Sequence, residues 1–172
     1  MGDNLDSRLV HVTDYSALKL NAHNFRILVQ RLAVDVPKLA QELGAEAVAI
    51  RGTSGYSVGF AMRMLTDFPI IVARKHGEAS HSGTHLALVN DGDFLNIKTY
   101  VILDDFVASG NTVDGMMDDI APAKCKGVLL YGTLQEQLHH WAEKPMELSE
   151  SDSSQWDTVP VYKYYSASSL TI

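Results

Sequence analysis

Two adjacent carboxylates, Asp104 and Asp105, follow the apolar run 100–103 and precede Phe106-Val107-Ala108-Ser109-Gly110-Asn111-Thr112. Ionised carboxylate oxygens only accept hydrogen bonds, so such a pair suits the hydroxyl groups of a sugar, or Mg2+ held directly or through water. The segment after the pair has complementary chemistry. Ser109 and Thr112 supply hydroxyls, Gly110 lets backbone approach closely, and the first N–H groups of a following helix attract a dianion. Carboxylates for sugar hydroxyls beside a helix start for phosphate describe a phosphorylated sugar. Read alone, Asp-Asp after a strand is also an ordinary helix cap.

Two further clusters follow apolar runs: Arg51-Gly52-Thr53-Ser54-Gly55 and Arg74-Lys75-His76-Gly77. Each combines cations or hydroxyls with glycine, a composition that suits an anion and equally an ordinary turn. Gly52, Gly55 and Gly59 lack the G-x-G-x-x-G spacing of a dinucleotide loop, and the chain has no Walker sequence. His76, His81 and His85 are the one histidine cluster, joined only by Glu78, which reads as a solvated loop before it reads as zinc. Cys125 is the single cysteine, so an internal disulfide is excluded, and it reads as an inert thiol.

These clusters need a scaffold that brings strand ends together. Runs 45–50, 69–73, 100–103 and 127–131 are short, apolar and free of polar alternation, the signature of strands buried on both faces. Helical spacing separates them at 56–65 and 112–120 and precedes them at Phe25, Leu28, Val29, Leu32, Val36, Leu39 and Leu43. Pro37 predicts a kink in that first helix, or a second helix capped by Asp35 and ended by Gly44. The order predicts an α/β fold: a mostly parallel twisted sheet with helices on both faces. Residues 76–97 read as a long hairpin arm turning at Asp91-Gly92, and 156–165 as a last aromatic-rich extended piece around Pro160. Ligands of such sheets lie beyond the carboxyl ends of the strands, where all three clusters fall.

The 172 residues, 46% hydrophobic, make one domain with a sizeable core. A formal charge of −7, from 21 acidic against 14 Lys and Arg, argues against a nucleic-acid backbone as partner. No run of some 18 apolar residues occurs, so the chain is expected to be cytoplasmic and free of membrane.

The stretch Val101-Ile102-Leu103-Asp104-Asp105-Phe106-Val107-Ala108-Ser109-Gly110-Asn111-Thr112 resembles the phosphoribosyl pyrophosphate (PRPP) motif of the type I phosphoribosyltransferases. The resemblance covers about residues 45–132. It implies that Asp104 and Asp105 bind the ribose hydroxyls and Mg2+, and that Ala108, Ser109, Gly110, Asn111 and Thr112 hold the 5-phosphate. Arg51, Gly52, Thr53 and Ser54 look like the pyrophosphate loop, and Ala73-Arg74-Lys75 is similar to the stretch whose lysine helps hold pyrophosphate in adenine and xanthine members. The catalytic set so implied is Asp104, Asp105 and Lys75. It further implies a single domain over 1–172, with a core at about 25–134 and a hood from 1–24 and 135–172, assembled as a homodimer.

Departures from the family pattern narrow the reading. Ser109 stands for the usual Thr and Asn111 for the second Gly of the phosphate loop. Ala108 replaces the aspartate of hypoxanthine-guanine members, and no lysine lies between Gly127 and Glu143, where those members bind the base. The pattern leans to the adenine and xanthine branch, with adenine ahead. The arm 76–97 has no Lys or Arg, whereas several members close over pyrophosphate with a basic residue there. Trp156, Tyr162, Tyr164 and Tyr165 are tail packing or a lid on which a planar base stacks. The expected function is transfer of phosphoribosyl from PRPP to a nucleobase, a purine foremost. The alternative is a module of the same fold that senses PRPP or a nucleotide without turnover.

Overall fold

The computed structural model describes residues 20–75, 86–88, 96–105, 107, 110–131, 140–141 and 159–165. Helix α1 (Ala22–Glu42) starts at Asn21, whose side chain accepts from the Asn24 N–H at 2.9 Å, one of the donors a helix start leaves without an internal partner. It is one helix running through Pro37, so the predicted second helix beginning at Asp35 is not formed. The apolar stripe explains this: Leu28, Val29, Leu32, Val36 and Ala40 are buried on both sides of the proline, and tertiary packing outweighs the local break.

The remaining elements are β1 (Ala47–Arg51), α2 (Gly52–Arg63), β2 (Ile70–Ala73), β3 (Leu86–Leu88), β4 (Thr99–Asp104), α3 (Asn111–Ile120), β5 (Lys124–Leu130), β6 (His140–Trp141) and β7 (Val161–Tyr165). The strands make one sheet in the order β3-β2-β1-β4-β5-β7-β6. Neighbours from β2 through β7 are parallel, and β3 and β6 are antiparallel edges. The four predicted apolar runs are β2, β1, β4 and β5 at its centre. The aromatic piece at the tail joins as β7, with Val161 opposite Val128, and the arm contributes β3 against β2. The arm's predicted turn at Asp91-Gly92 lies outside the described residues.

Successive side chains of a strand point to opposite faces. Val48, Ile50, Ile70, Val72, Val101, Leu103 and Leu129 face α1 and α2, while Ala47, Ala49, Ile71, Ala73, Tyr100, Ile102, Val128 and Leu130 face α3. The sheet is therefore covered on both sides, as the unbroken apolar runs require. The order of strand addition reverses about β1: β2 adds on one side and β4 on the other. That is a topological switch point, and it opens a crevice between the carboxyl ends of β1 and β4.

Candidate active site

Register brings the clusters to that crevice. Arg51 pairs with Ala73 at the ends of β1 and β2, Asp104 pairs with Leu130 at the ends of β4 and β5, and Ala49 of β1 pairs with Ile102 of β4. Helix α2 begins at Gly52, so Gly52, Thr53 and Ser54 form its first turn, where a turn was expected ahead of a helix at 56. No side chain caps this end, which leaves helix N–H groups facing the crevice. Gly52 has φ +68°, a backbone that L side chains rarely adopt, and a Cβ built there would lie 3.2 Å from Lys75 Cε and 3.5 Å from its Nζ. Lys75 thus crosses directly over the start of α2. Thr53 and Lys75 are exposed and Arg74 is half-buried.

Asp104 and Asp105 are 7% and 4% exposed. Asp104 Oδ1 accepts from Ser54 Oγ at 3.2 Å and from the Asp105 N–H at 2.9 Å. Burial, and then the neighbouring Asp105 carboxylate, pushes the Asp104 carboxyl up to about 7, against the pull of those two donors. Tyr131, one residue past β5, donates its hydroxyl to the Ser54 carbonyl at 3.2 Å, and its N–H donates to the Asp104 carbonyl at 3.0 Å. Burial holds the Tyr131 phenol well above its ordinary value, with Asp105 and Asp104 adding to the effect. Sequence reasoning missed Tyr131 as a site residue. Its position directly after an apolar strand was the signal, shared with Asp104.

Across the crevice α3 opens at Gly110, buried, with φ +83°, followed by exposed Asn111 and Thr112. This start also lacks a side-chain cap. Phe106, Ala108 and Ser109 lie outside the described residues, as do the tail 142–158 and the histidines 76, 81 and 85. The side chains of Tyr162, Tyr164 and Tyr165 likewise fall outside what is described.

The Arg51 side chain, predicted as a pyrophosphate ligand, is engaged with the scaffold. It shares a face with Ala47 and Ala49, the face that α3 covers, and its guanidinium pairs with Asp119 of α3 and donates to the Ala73 carbonyl. The pleat dictates this, since a residue two after Ala49 points the same way.

Among the described residues no group of three or more His, Cys, Asp or Glu gathers as a cage. Two carboxylates at a strand end match the way Mg2+ is usually held, by one or two carboxylates with phosphate oxygens and water completing the shell. The fit is to a metal shared with a ligand.

No family model and no curated protein matches the chain. Solved structures do. Orotate phosphoribosyltransferase of Francisella tularensis aligns at 18% identity over 85% of this chain and 68% of its own, with a TM-score of 0.54. Hypoxanthine-guanine phosphoribosyltransferase of Bacillus anthracis aligns at 16% identity over 84% of this chain and 79% of its own, with a TM-score of 0.41. Purine phosphoribosyltransferase of Pyrococcus horikoshii aligns at 16% identity over 72% of this chain and 94% of its own, with a TM-score of 0.38. The parallel sheet of this chain, with its switch point between β1 and β4, has the fold of the type I phosphoribosyltransferases.

Proposed function

We propose that the protein transfers a phosphoribosyl group from PRPP to a nitrogenous base, giving a nucleoside 5'-monophosphate and pyrophosphate. The observation that carries this reading is the crevice at the switch point. It sets Asp104 and Asp105 across from the uncapped start of α2, with Lys75 lying over Gly52. One side offers acceptors for sugar hydroxyls, the other offers N–H groups and an ammonium for a polyanion.

In this reading Gly110, Asn111 and Thr112, continuing from Ala108 and Ser109, hold the 5-phosphate. Gly52, Thr53, Ser54, Arg74 and Lys75 hold the pyrophosphate, Ser54 through its backbone N–H because its hydroxyl is engaged with Asp104. Asp104 and Asp105 fix the ribose hydroxyls and would hold Mg2+, which when bound supplies positive charge beside the departing pyrophosphate oxygens. As the bond from the anomeric carbon to pyrophosphate breaks, its electron pair leaves with the pyrophosphate, where Lys75 and the α2 N–H groups stabilise the charge. The buried carboxylates stabilise the positive charge left on the ring. The base nitrogen then forms the new C–N bond with the anomeric carbon and releases its proton to solvent.

The finer proposal is a purine, adenine ahead of xanthine, on the strength of Ala108, of Ala73-Arg74-Lys75 and of the lysine-free stretch 127–143. Assembly as a homodimer is part of the proposal, and it would cover large apolar side chains exposed on α1, on α2 and just after α2, among them Val34, Phe60, Met64 and Leu65. Among the described residues no helix is long and apolar enough to cross a membrane.

The test is pyrophosphate release on mixing the protein, Mg2+ and PRPP with adenine, xanthine, hypoxanthine, guanine, orotate or uracil in turn. Turnover fastest on adenine is the expected result. A pyrimidine faster by about tenfold, roughly 1.4 kcal/mol in the barrier, would overturn the purine assignment and keep the transferase. PRPP binding with no release on any base would identify the sensing module in its place.

A further inference from the structure

Arg51 connects the three elements that carry the proposed ligand loops. It is the last residue of β1 and directly precedes Gly52. Its Nε donates at 3.4 Å to the carbonyl of Ala73, two residues before Lys75. Its terminal nitrogen pairs with Asp119 of α3, the helix whose start is Gly110-Asn111-Thr112. The Arg51 side chain is 5% exposed and that of Asp119 14%, so the pair is largely buried against α3. Gly115, one turn before Asp119, makes room: a Cβ built there would lie 2.8 Å from Arg51 Nη1.

We infer that Arg51 and Asp119 are positioning residues that set the distance between the pyrophosphate loop and the 5-phosphate loop. The inference rests on the proposed function and goes beyond it, because it removes Arg51 from the ligand shell and gives its charge a task inside the scaffold. PRPP carries phosphate groups on opposite sides of one ribose ring, joined to it by short links, so both loops must be correctly spaced to bind it. Pyrophosphate and ribose 5-phosphate each use one loop and are indifferent to the spacing. A change that moves α3 relative to β1 therefore weakens the doubly anchored ligand selectively.

The experiment is calorimetric titration of PRPP, pyrophosphate and ribose 5-phosphate, each with Mg2+, into wild type, Arg51→Lys, Arg51→Met, Asp119→Asn and Gly115→Ala. Removing one partner of a buried pair strands the other charge and can unfold the chain. Gly115→Ala keeps both charges and raises helix propensity, so it displaces the guanidinium in a chain that folds. The expected result is a loss in PRPP affinity of about 10- to 100-fold in Gly115→Ala and Asp119→Asn, with pyrophosphate and ribose 5-phosphate near wild type and Arg51→Lys partly restored relative to Arg51→Met. Equal losses for pyrophosphate and PRPP in Arg51→Met, with Asp119→Asn and Gly115→Ala unaffected, would show direct contact and overturn the inference. Unchanged PRPP affinity in Gly115→Ala would overturn it as well. A wild-type protein that binds none of the three ligands would overturn the proposed function itself, an outcome visible before any variant is made.

Discussion

Ser54 Oγ donates to Asp104 Oδ1 at 3.2 Å across the crevice, joining the first turn of α2 to the end of β4. The Asp105 N–H donates to the same oxygen at 2.9 Å. The Asp104 carboxylate is thus oriented by two donors. The same enclosure opposes its ionisation, which makes Asp104 a group whose charge the fold tolerates at a cost to stability.

That cost has a pH dependence. Burial and Asp105 raise the Asp104 carboxyl from 3.8 to about 7, so between those values the native protein holds a proton that the unfolded chain has released. Stability from this group is complete below pH 4 and is lost as pH rises to 7. Asp104→Asn keeps an Oδ1 acceptor for both donors and does not titrate. Thermal melts should place the variant level with wild type near pH 4 and above it at pH 8, by an amount on the order of 1–3 kcal/mol. PRPP binding should be lost in the same variant. A constant difference across the pH range would remove the titration from Asp104.

Ser54→Ala should act in the opposite sense. The hydroxyl favours the ionised carboxylate, so its loss costs about 1.5–3 kcal/mol at pH 8, where the bond is to a charge, and about half that at pH 5. Urea midpoints at the two pH values measure the difference. A loss that is larger at pH 5 would contradict the assignment.

How much of this was legible in sequence follows from what each feature depends on. The four apolar runs are central strands because burial on both faces writes itself into composition, and the acidic pair stands out because it interrupts such a run. The continuity of α1 through Pro37 depends on the core beneath it, which a local reading of proline omits. Strand β7 carries no alternation to announce a neighbour, so only pairing with β5 reveals it as part of the sheet. Arg51 is the instructive case: its motif suggests an anion loop, yet the alternation Ala47, Ala49, Arg51 already assigns its side chain to the face beneath α3. Its partner Asp119 lies 68 residues further along the chain, a separation that no local pattern reports.

Tyr131→Phe isolates the third member of the network. The hydroxyl donates to the Ser54 carbonyl from a buried position, and burial keeps the phenol protonated through the neutral range. The expected loss is about 1 kcal/mol and is the same from pH 5 to 9, since neither group of that bond titrates there. Denaturant melts at several pH values check it. A loss that grows with pH would mean that the tyrosine acts through Asp104.

Gly52 and Lys75 make opposite predictions about stability and the same prediction about the ligand. At φ +68° an alanine in place of Gly52 costs about 1–2 kcal/mol in backbone strain. Its Cβ would also press on Lys75 Cε at 3.2 Å, and the flexible ammonium end must shift off the start of α2. Gly52→Ala should therefore lower both the melting temperature and the affinity for pyrophosphate. Lys75→Met keeps the aliphatic stem over Gly52 and removes only the charge from an exposed side chain, so the melting temperature should stay near wild type. Its pyrophosphate affinity should fall by about 10- to 100-fold, the equivalent of a charged hydrogen bond of 1.5–3 kcal/mol. Because ribose 5-phosphate reaches the α3 loop and the acidic pair but not the pyrophosphate loop, its affinity should not change in Lys75→Met. Paired titrations of the two ligands decide the matter: a parallel loss of ribose 5-phosphate affinity would mean that Lys75 serves the whole site as a diffuse charge and not the pyrophosphate end.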